Sequence, residues 1–321
     1  MEIASLTDKK VWLAPLAGYT DNAFRTIAKR CGAEVIMSEM VSADGLYYNF
    51  DNSIKYAMFE EKQRPFGVQL FGSDPEMMAK GAEILSRLYP DFIDINMGCP
   101  VKKVVNRMAG SALMKDVDLA CRITEAVKEV AHKHNILVTT KFRSGWDLQN
   151  INYLSFGKAL ENSGSDALIL HPRTRTEMFG GHSNWEHIKE LKQHTSLPVV
   201  GNGDIQSVAD AQEMYELTHC DSIMIGRGIL GQPWLFQEII NSYNNIEQEF
   251  DKKEIIREHY RLALANAKPE DELYALREMR SHFNHYTKGT RDGSQLRNAI
   301  NQTDDLDAVF NLINQINYIQ D

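Results

Sequence analysis

One cysteine follows a short apolar run in a setting that suggests chemistry. Residues 93–100 read Ile-Asp-Ile-Asn-Met-Gly-Cys-Pro, so Cys99 lies in a polar, glycine-containing turn just after a strand. Its neighbours Gly98 and Pro100 favour a defined turn that presents the thiol to a pocket. Three roles stay open for Cys99: an inert buried thiol, a nucleophile with a lowered pKa, or a general acid for a developing carbanion.

Two glycine-containing turns follow later apolar runs. Gly201-Asn202-Gly203-Asp204 comes after the seventh run and Gly226-Arg227-Gly228 after the eighth. Glycines let backbone N–H groups approach a phosphate closely. One such turn alone is more often an ordinary turn between a strand and a helix. The two turns together favour a phosphate-bearing ligand.

Three further polar residues lie within or at the ends of apolar runs. Lys141 is costly to bury unless it is paired, either with Glu39 or with an anionic group of a cofactor such as a reduced flavin. Gln69 can both donate and accept hydrogen bonds, which suits the edge of a flavin ring. His171 is as readily a structural histidine as a functional one.

Eight apolar runs alternate with segments of helical periodicity such as residues 75–85, 117–130 and 208–217. The runs cover residues 11–13, 35–37, 66–70, 92–95, 137–141, 167–170, 198–200 and 222–225. They start about 25 to 45 residues apart, the spacing of strand–helix units. This pattern predicts an α/β fold with a TIM (β/α)8 barrel over residues of about 10 to 240. In such barrels the chemistry occurs where strands end, and phosphate binds after strands seven and eight.

The chain changes character near residue 245, where glycine becomes scarce. Helices are predicted over residues 253–267, 271–286, 293–302 and 306–318. We therefore predict a catalytic barrel of residues 1–243 and a C-terminal all-helical domain of residues 244–321. Residues 273–300 hold five basic and two acidic side chains, a local charge of +3 in a chain of −9. Any contact with a polyanion must therefore be a local patch.

Composition narrows the class of protein. The 321 residues are 43% hydrophobic and 25% charged, as in globular proteins. No apolar run approaches the roughly 20 residues needed to cross a bilayer, and the N-terminus does not resemble a secretory signal. The four cysteines (Cys31, Cys99, Cys121, Cys220) form no Cys-x-x-Cys pair, so neither a metal site nor a disulfide framework is expected. A cytoplasmic location follows as the default expectation.

Basic side chains near the predicted strand ends complete the candidate residues. They are Lys102, Lys103, Arg107, Arg143, Arg173 and Arg175. An ordinary solvated rim would explain them. Their number on one face, together with the basic segment 273–300, makes an anion-binding groove an alternative.

Seven motifs, in order, resemble the tRNA-dihydrouridine synthases, and most of all their bacterial B subgroup. They begin at Ala14 (APLAGYTD), Asp94 (DINMGCP), Gly110 (GSALM), Lys141 (KFRSGW), His171 (HPRTR), Gly201 (GNGDI) and Met224 (MIGRG). The resemblance runs along nearly the whole chain, and the ordered set of seven motifs is highly specific. One departure is Pro172, where relatives often have glycine.

The resemblance implies an enzyme with bound FMN that is reduced by NADPH, or by NADH, and passes a hydride to C6 of a uridine in the D-loop of tRNA. Cys99 matches the proton donor to C5, and Asn96 matches a residue near the flavin and the base. The implied FMN contacts are Pro15, Leu16, Ala17, Gln69, Lys141, His171, Asn202, Gly203, Asp204, Gly226 and Arg227. The candidate RNA contacts are Lys102, Arg107, Arg143, Arg173, Arg175, Arg277, Arg280 and Arg297. A monomer is favoured, although the oligomeric state cannot be read from the sequence.

Two other classes of protein remain as alternatives. A small-molecule FMN barrel, such as a dihydroorotate-type dehydrogenase, would share the phosphate turns but has no need of a basic helical tail. A catalytically silent RNA-binding or RNA-folding factor would have no need of the cysteine, the lysine and both turns together.

Overall fold

The structure is a computed structural model that describes residues 2–318. The strands are β1 Val11–Leu13, β2 Ile36–Ser42, β3 Phe66–Phe71, β4 Phe92–Met97, β5 Leu137–Gly145, β6 Ala167–Thr174, β7 Val199–Asn202 and β8 Ser222–Ile225. The α-helices are α1 Ile3–Thr7, α2 Asn22–Arg30, α3 Ala43–Tyr48, α4 Phe50–Ile54, α5 Pro75–Ser86, α6 Lys102–Val105, α7 Val117–Lys133, α8 Tyr153–Asn162, α9 Glu186–His194, α10 Val208–Thr218, α11 Leu235–Asn244, α12 Lys252–Asn266, α13 Glu272–Tyr286, α14 Gly293–Ile300 and α15 Leu306–Asn314. Short 3-10 helices cover Glu61–Gln63, Gly110–Lys115, Arg227–Ile229 and Pro269–Asp271.

The strands form one parallel sheet that closes on itself. Their order is β1-β8-β7-β6-β5-β4-β3-β2, and each neighbouring pair is parallel. A parallel bridge between Trp12 and Val35 joins β1 to the residue before β2 and completes the ring. The predicted TIM (β/α)8 barrel followed by a helical region is therefore confirmed.

Successive side chains along each strand point alternately inward and outward and so form two separate apolar layers. On β1, Val11 and Leu13 pack in the large cluster between strands and helices, whereas Trp12 packs in a smaller cluster with Phe92 and Leu6 of α1. Successive side chains of a strand point to opposite faces, so this smaller cluster fills the barrel interior. It forms the floor on which the polar residues of the strand ends rest.

Several strands continue beyond the predicted apolar runs. The strands β4 and β5 run to Met97 and Gly145, and β6 runs to Thr174. The prediction stopped where polar residues began. The ladder nevertheless continues there, with Asn96 opposite Lys141, because inward polar groups bind one another and leave the backbone pairing intact.

The tail packs as a helical unit against the barrel. Its four predicted helices are present as α12–α15, the last of them ending at Asn314. A separate apolar cluster joins them, with Trp234 from the barrel side as a member. On the barrel, Phe24 of α2 stacks on His282 of α13. The boundary between residues 243 and 244 stays a prediction.

The described residues contain neither a membrane-spanning helix nor a cluster of metal ligands. None of the helices within residues 2–318 combines the length and apolar character that a membrane crossing needs. No group of three or more His, Cys, Asp or Glu side chains in the same range could hold a metal ion.

Candidate active site

Polar side chains occupy the inward positions at the C-terminal ends of the strands. On β4, Phe92 lies in the interior apolar cluster, and Asp94 and Asn96 follow it at intervals of two. The same interval leads from Ile169 to His171 on β6. Because inward side chains repeat every second residue, the apolar floor gives way to a polar layer at one end of the barrel. This layer brings together predicted residues that are far apart in the sequence.

A row of hydrogen bonds leads through this layer to the Cys99 turn. Gln69 Nε2 donates to Asp94 Oδ2 over 2.7 Å, and Asn96 Nδ2 donates to Gln69 Oε1 over 2.8 Å. The backbone N–H of Cys99 donates to Asn96 Oδ1 over 2.9 Å. On the other side, Thr139 Oγ1 donates to Asp94 Oδ1 over 2.6 Å. The position of Cys99 is therefore tied to three neighbouring strands.

The Cys99 thiol is buried and protonated at neutral pH. Only 9% of the residue is exposed, and Val104 and Ala109 pack against it. Burial raises the pKa of the Cys99 thiol above its ordinary value, although Val101, Arg143 and Lys141 oppose the shift. A raised pKa suits a proton donor and argues against a thiolate nucleophile.

Gly110 and Ser111 hold the Cys99 turn in place through close contacts with the Cys99 carbonyl oxygen. The backbone N–H and the hydroxyl of Ser111 both donate to the Cys99 carbonyl oxygen, over 3.1 and 2.9 Å. Gly110 adopts φ +61°, and a Cβ there would lie 2.8 Å from that oxygen. Glycine is therefore required at position 110 for the turn to form.

Lys141 lies in the interior as a cation with spare donors. Its Nζ donates to Asn202 Oδ1 over 2.8 Å, and Asn202 Nδ2 donates to the Met224 carbonyl oxygen over 2.7 Å. Burial lowers the pKa of Lys141 to about 8, with Arg143 adding to the shift and Asp94 opposing it. The alternative pairing with Glu39 is wrong, because Glu39 accepts from the backbone of Gly18 instead. An ammonium has three donors, so two remain for a bound anion.

The two glycine turns meet at the same end of the barrel. Gly203 has φ +136°, and a Cβ there would lie 3.0 Å from His171 Cδ2. A Cβ on Gly228 would overlap the carbonyl oxygen of Ile205. Glycine is thus needed at both positions because the turns pack against each other and against β6.

Backbone donors of these turns are free. Within residues 2–318, the N–H groups of Asp204, Ile205, Arg227 and Gly228 donate to no other protein atom. The Arg227 side chain is 50% exposed and lies 3.9 Å from an Asp204 oxygen. Grouped backbone donors beside an exposed guanidinium form an arrangement that fits a phosphate. The residues present therefore fit the phosphate end of a cofactor such as FMN.

His171 is a neutral acceptor on the edge of this site. Burial lowers the pKa of His171 well below its ordinary value, and Arg143, Lys141 and Arg173 add to the shift. Arg173 Nη1 lies 3.3 Å from His171 Nε2. A guanidinium only donates, so Nε2 accepts and Nδ1 carries the proton.

The loop after β1 borders the β8 turn. The backbone N–H of Leu16 donates to Thr20 Oγ1 over 3.0 Å, which fixes the segment that contains Pro15 and Ala17. A Cβ on Gly226 would lie 3.6 Å from the Leu16 side chain. The structure thus brings the predicted residues of the first and last strand ends into contact.

Two arginines predicted for the solvated rim are buried. Arg173 is 2% exposed and donates to the carboxylate of Asp204, the hydroxyl of Ser183 and the carbonyl oxygens of Gly180 and Gly181. Its expected place on a rim is wrong because the loop after β6 folds over it. It serves instead to join that loop to the β7 turn.

Arg143 has a similar internal role. It is also 2% exposed, and it donates to the carbonyl oxygens of Gly98, Thr174 and Met178 over 2.8, 2.9 and 2.9 Å. The rim expectation is wrong here too. Arg143 fastens the Cys99 turn to the loop after β6.

Three other predicted basic residues of the barrel are exposed, whereas Arg175 is half-buried. Lys102, Lys103 and Arg107 lie on or next to α6, directly after the Cys99 turn. Arg175 lies 4.8 Å from the Trp146 ring, and Lys115 lies 4.6 Å from the same ring. In the part of the chain that the structure describes, none of these five cations forms an ion pair. We call these five residues with Trp146 the barrel rim.

The three predicted RNA contacts of the tail are already bonded to protein acceptors. Arg277 and Arg280 both pair with Asp304, at 2.5 and 2.8 Å. Arg297 donates to the Thr287 carbonyl oxygen over 3.1 Å. Asp304 lies outside residues 273–300, which is why the local count of charge did not include it.

Sequence reasoning missed several residues of the site. Asp94 begins one of the seven motifs without a predicted role, although the interval of two on β4 places it on the same face as Asn96. Lys115 and Trp146 were not assigned to the rim. Phe179, 49% exposed, lies 4.9 Å from Arg227 and 5.7 Å from Arg143, and no local pattern identified it.

Comparison with known proteins identifies the family. The family described as Dihydrouridine synthase (Dus) matches residues 12–320. The chain belongs to the dihydrouridine synthase family. The tRNA-dihydrouridine synthase B of Pseudomonas putida is 38% identical over 301 residues, which cover 92% of this chain and 88% of that protein. That of Pasteurella multocida is 36% identical over 320 residues, covering 95% and 93%. The predicted family and its B subgroup are confirmed.

Solved structures bear on the fold. An old yellow enzyme homologue from Zymomonas mobilis has a TM-score of 0.52 and 15% sequence identity, over 75% of this chain and 90% of that chain. This likeness confirms the barrel of the dihydrouridine synthase.

Proposed function

We propose that this protein reduces uridine to 5,6-dihydrouridine in the D-loop of tRNA, with bound FMN and with NADPH as reductant. The observation that carries the proposal is the Cys99 turn. It presents a buried, protonated thiol at the same end of the barrel as Lys141 and the two glycine turns. Membership of the dihydrouridine synthase family supports the same reaction.

The cofactor would be held by residues from most strand ends. The free N–H groups after β7 and β8, with Arg227, would bind the phosphate. Lys141 would offer its two spare donors to the anionic edge of the ring. Gln69 is completely buried with both ends of its amide engaged, so its contact with a ring edge would need a small movement of the neighbouring side chains. When bound, FMN reduced by NADPH supplies the hydride that adds to C6 of the uracil.

Cys99 would complete the reaction as a general acid. Hydride addition leaves negative charge on the pyrimidine, and the thiol proton moves to C5 as that charge develops. The target base is normally stacked, so it must leave the stack to reach this pocket. Asn96 lies beside Cys99 and is the nearest amide of the row to the incoming base.

RNA would approach across the barrel rim. Four of its unpaired cations follow β4 and the Cys99 turn, and the fifth, Arg175, follows β6 and lies against Trp146. Unpaired cations bind phosphates and release counterions. The tail would contribute less through Arg277, Arg280 and Arg297, because protein acceptors already engage them.

Flavin loading and substrate choice test the proposal together. The purified protein is expected to be yellow or to become yellow with FMN, and to bleach with NADPH without oxygen. Addition of an unmodified tRNA transcript should restore the yellow colour and produce dihydrouridine, detected by mass spectrometry. Reoxidation by free orotate but not by tRNA would favour a small-molecule dehydrogenase. A protein that cannot be loaded with FMN would favour a silent RNA-binding factor.

A further inference from the structure

A fully buried carboxylate lies beneath the Cys99 turn and has no part in the proposed reaction. Asp94 on β4 is opposite Gln69 on β3 and Thr139 on β5 in the strand ladder. All three side chains are completely buried. A buried carboxylate is costly unless its hydrogen bonds compensate, so its presence in this layer calls for an explanation.

The hydrogen bonds of the row have only one consistent direction. At the upper end, the backbone N–H groups of Gly98 and Cys99 can only donate, so Asn96 must face them with Oδ1, at 3.2 and 2.9 Å. Asn96 Nδ2 then donates to Gln69 Oε1, and Gln69 is left with Nε2 for the next partner. That partner must accept. Asp94 Oδ2 does so over 2.7 Å.

The protonation state of Asp94 does not reverse this direction. Burial raises the pKa of Asp94 to about 7, while Thr139, Gln69 and Lys141 oppose the shift. A protonated Asp94 could place its hydrogen on Oδ1 toward Thr139 Oγ1 and still accept at Oδ2. The hydrogen bonds of the row therefore run in the same direction whether Asp94 is protonated or ionised.

Reversal of either amide would leave like groups facing each other. A reversed Gln69 would set its Nε2 against Asn96 Nδ2. A reversed Asn96 would set its Nδ2 against the two N–H groups of the Cys99 turn. The two backbone N–H groups select the direction of both amides, and an acceptor at the lower end is what holds Gln69 in that orientation.

We propose that Asp94 is a positioning residue that anchors the lower end of the Gln69 and Asn96 amides and, through them, the place from which Cys99 delivers its proton. The proposal rests on the proposed function only for the chemistry of Cys99. The row itself is independent of the reaction. A competing explanation is that Asp94 acts only as a charge that stabilises Lys141, whose pKa it raises.

Three substitutions separate these explanations. Asp94→Leu removes the acceptor. Asp94→Asn keeps an oxygen for Gln69 and presents its NH2 to Thr139, so it preserves the row and removes the charge. Thr139→Val is the matched control, because it deletes the other hydrogen bond of Asp94 and leaves the amides alone. Asp94→Ser, whose hydroxyl does not reach Gln69, replaces the leucine variant should the latter fail to fold by circular dichroism.

The first measurement does not depend on turnover. Iodoacetamide alkylation of Cys99 is followed by peptide mass spectrometry in flavin-loaded protein, with Cys121 on α7 as the internal reference. We expect Asp94→Leu to alkylate at Cys99 at least about fivefold faster, because the turn is released. Asp94→Asn and Thr139→Val should stay within about twofold of the unmodified protein. Equal rates in all variants would overturn the proposal, even for a protein that makes no dihydrouridine.

The second measurement uses single-turnover reduction of tRNA. Asp94→Leu should slow product formation at least about tenfold and leave tRNA affinity within about twofold, since the interaction lost is one that positions the acid. The double variant Asn96→Ala, Asp94→Leu should form product no more slowly than Asn96→Ala alone, because both residues act through the same row of hydrogen bonds. Fully additive losses, or an Asp94→Asn variant as slow as Asp94→Leu, would favour the charge role and sink the proposal.

Discussion

The barrel rim and the helical tail both carry basic side chains, but they differ in what those side chains contact. On the barrel rim, Lys102, Lys103, Arg107, Lys115 and Arg175 form no ion pair within residues 2–318. On the tail, Arg277 and Arg280 share Asp304 and Arg297 donates to a carbonyl oxygen, whereas Lys288 and Arg291 form no ion pair within the described residues. A cation that is already paired gains less from a phosphate, because binding must first break its existing contact. The comparison teaches that the count of basic residues in a segment is a poor guide to an RNA-binding surface.

The largest effect on tRNA affinity is expected from the first three barrel-rim residues that follow Cys99 in the chain. In the triple variant Lys102→Ala, Lys103→Ala, Arg107→Ala, tRNA affinity should fall by about 30-fold and the slope of log affinity against log salt by about 2 to 3, since each lost phosphate contact removes about 0.7 to 0.9. Filter binding at several salt concentrations measures both. The matched control Arg257→Ala, Arg261→Ala, Arg277→Ala removes three paired tail cations, the first two bound to Glu254 and the third to Asp304. An equal loss there would break the comparison.

A smaller loss of tRNA affinity is expected from substitution of Trp146 on the barrel rim. Trp146 lies within 5 Å of both Lys115 and Arg175, so its ring holds two cations close together. Trp146→Leu should weaken tRNA binding about three- to tenfold by releasing both side chains. Trp146→Phe keeps an aromatic face and should recover most of the affinity. Equal affinity of the leucine and phenylalanine variants would show that the ring does not organise the cations.

The smallest changes in tRNA affinity are expected in the tail. One substitution there should leave the affinity nearly unchanged, and another should raise it. Arg277→Ala should change tRNA affinity less than about twofold, because Asp304 already pairs with the side chain. Asp304→Asn should instead raise affinity by about two- to threefold, since it frees two arginines. Fluorescence anisotropy with labelled tRNA resolves changes of this size. A large loss in Arg277→Ala with no gain in Asp304→Asn would move the RNA surface to the tail.

The fold was predictable because its signals are local. Short apolar runs and capped helical segments recur along the chain, and each strand and tail helix lies within a few residues of its expected place. Strand ends were less accurate. The ladder of β5 continues through Arg143 because that side chain finds carbonyl acceptors at Gly98 after β4, on β6 and on the loop after β6. Such long-range partners leave no local pattern.

The candidate site was predictable in part for the same reason. Cys99, Lys141 and the glycine turns follow strands in fixed slots, so their meeting at one end of the barrel could be foreseen. Burial of Arg173 could not, because its acceptors lie on a loop and on Asp204, far along the chain. Pairing of Arg277 with Asp304 is equally non-local. Whether a charge is free depends on tertiary structure, which the sequence of the segment does not contain.

The central claim is that Cys99 supplies the proton in uridine reduction. Its most direct test is an anaerobic single turnover of flavin-reduced Cys99→Ala protein with an unmodified tRNA transcript, beside Cys121→Ala as the matched control. Removal of a general acid costs about 10²- to 10⁴-fold, so dihydrouridine formation should slow at least 100-fold in Cys99→Ala while flavin binding, reduction by NADPH and tRNA affinity stay unchanged. A dihydrouridine yield and rate equal to those of Cys121→Ala would contradict the account.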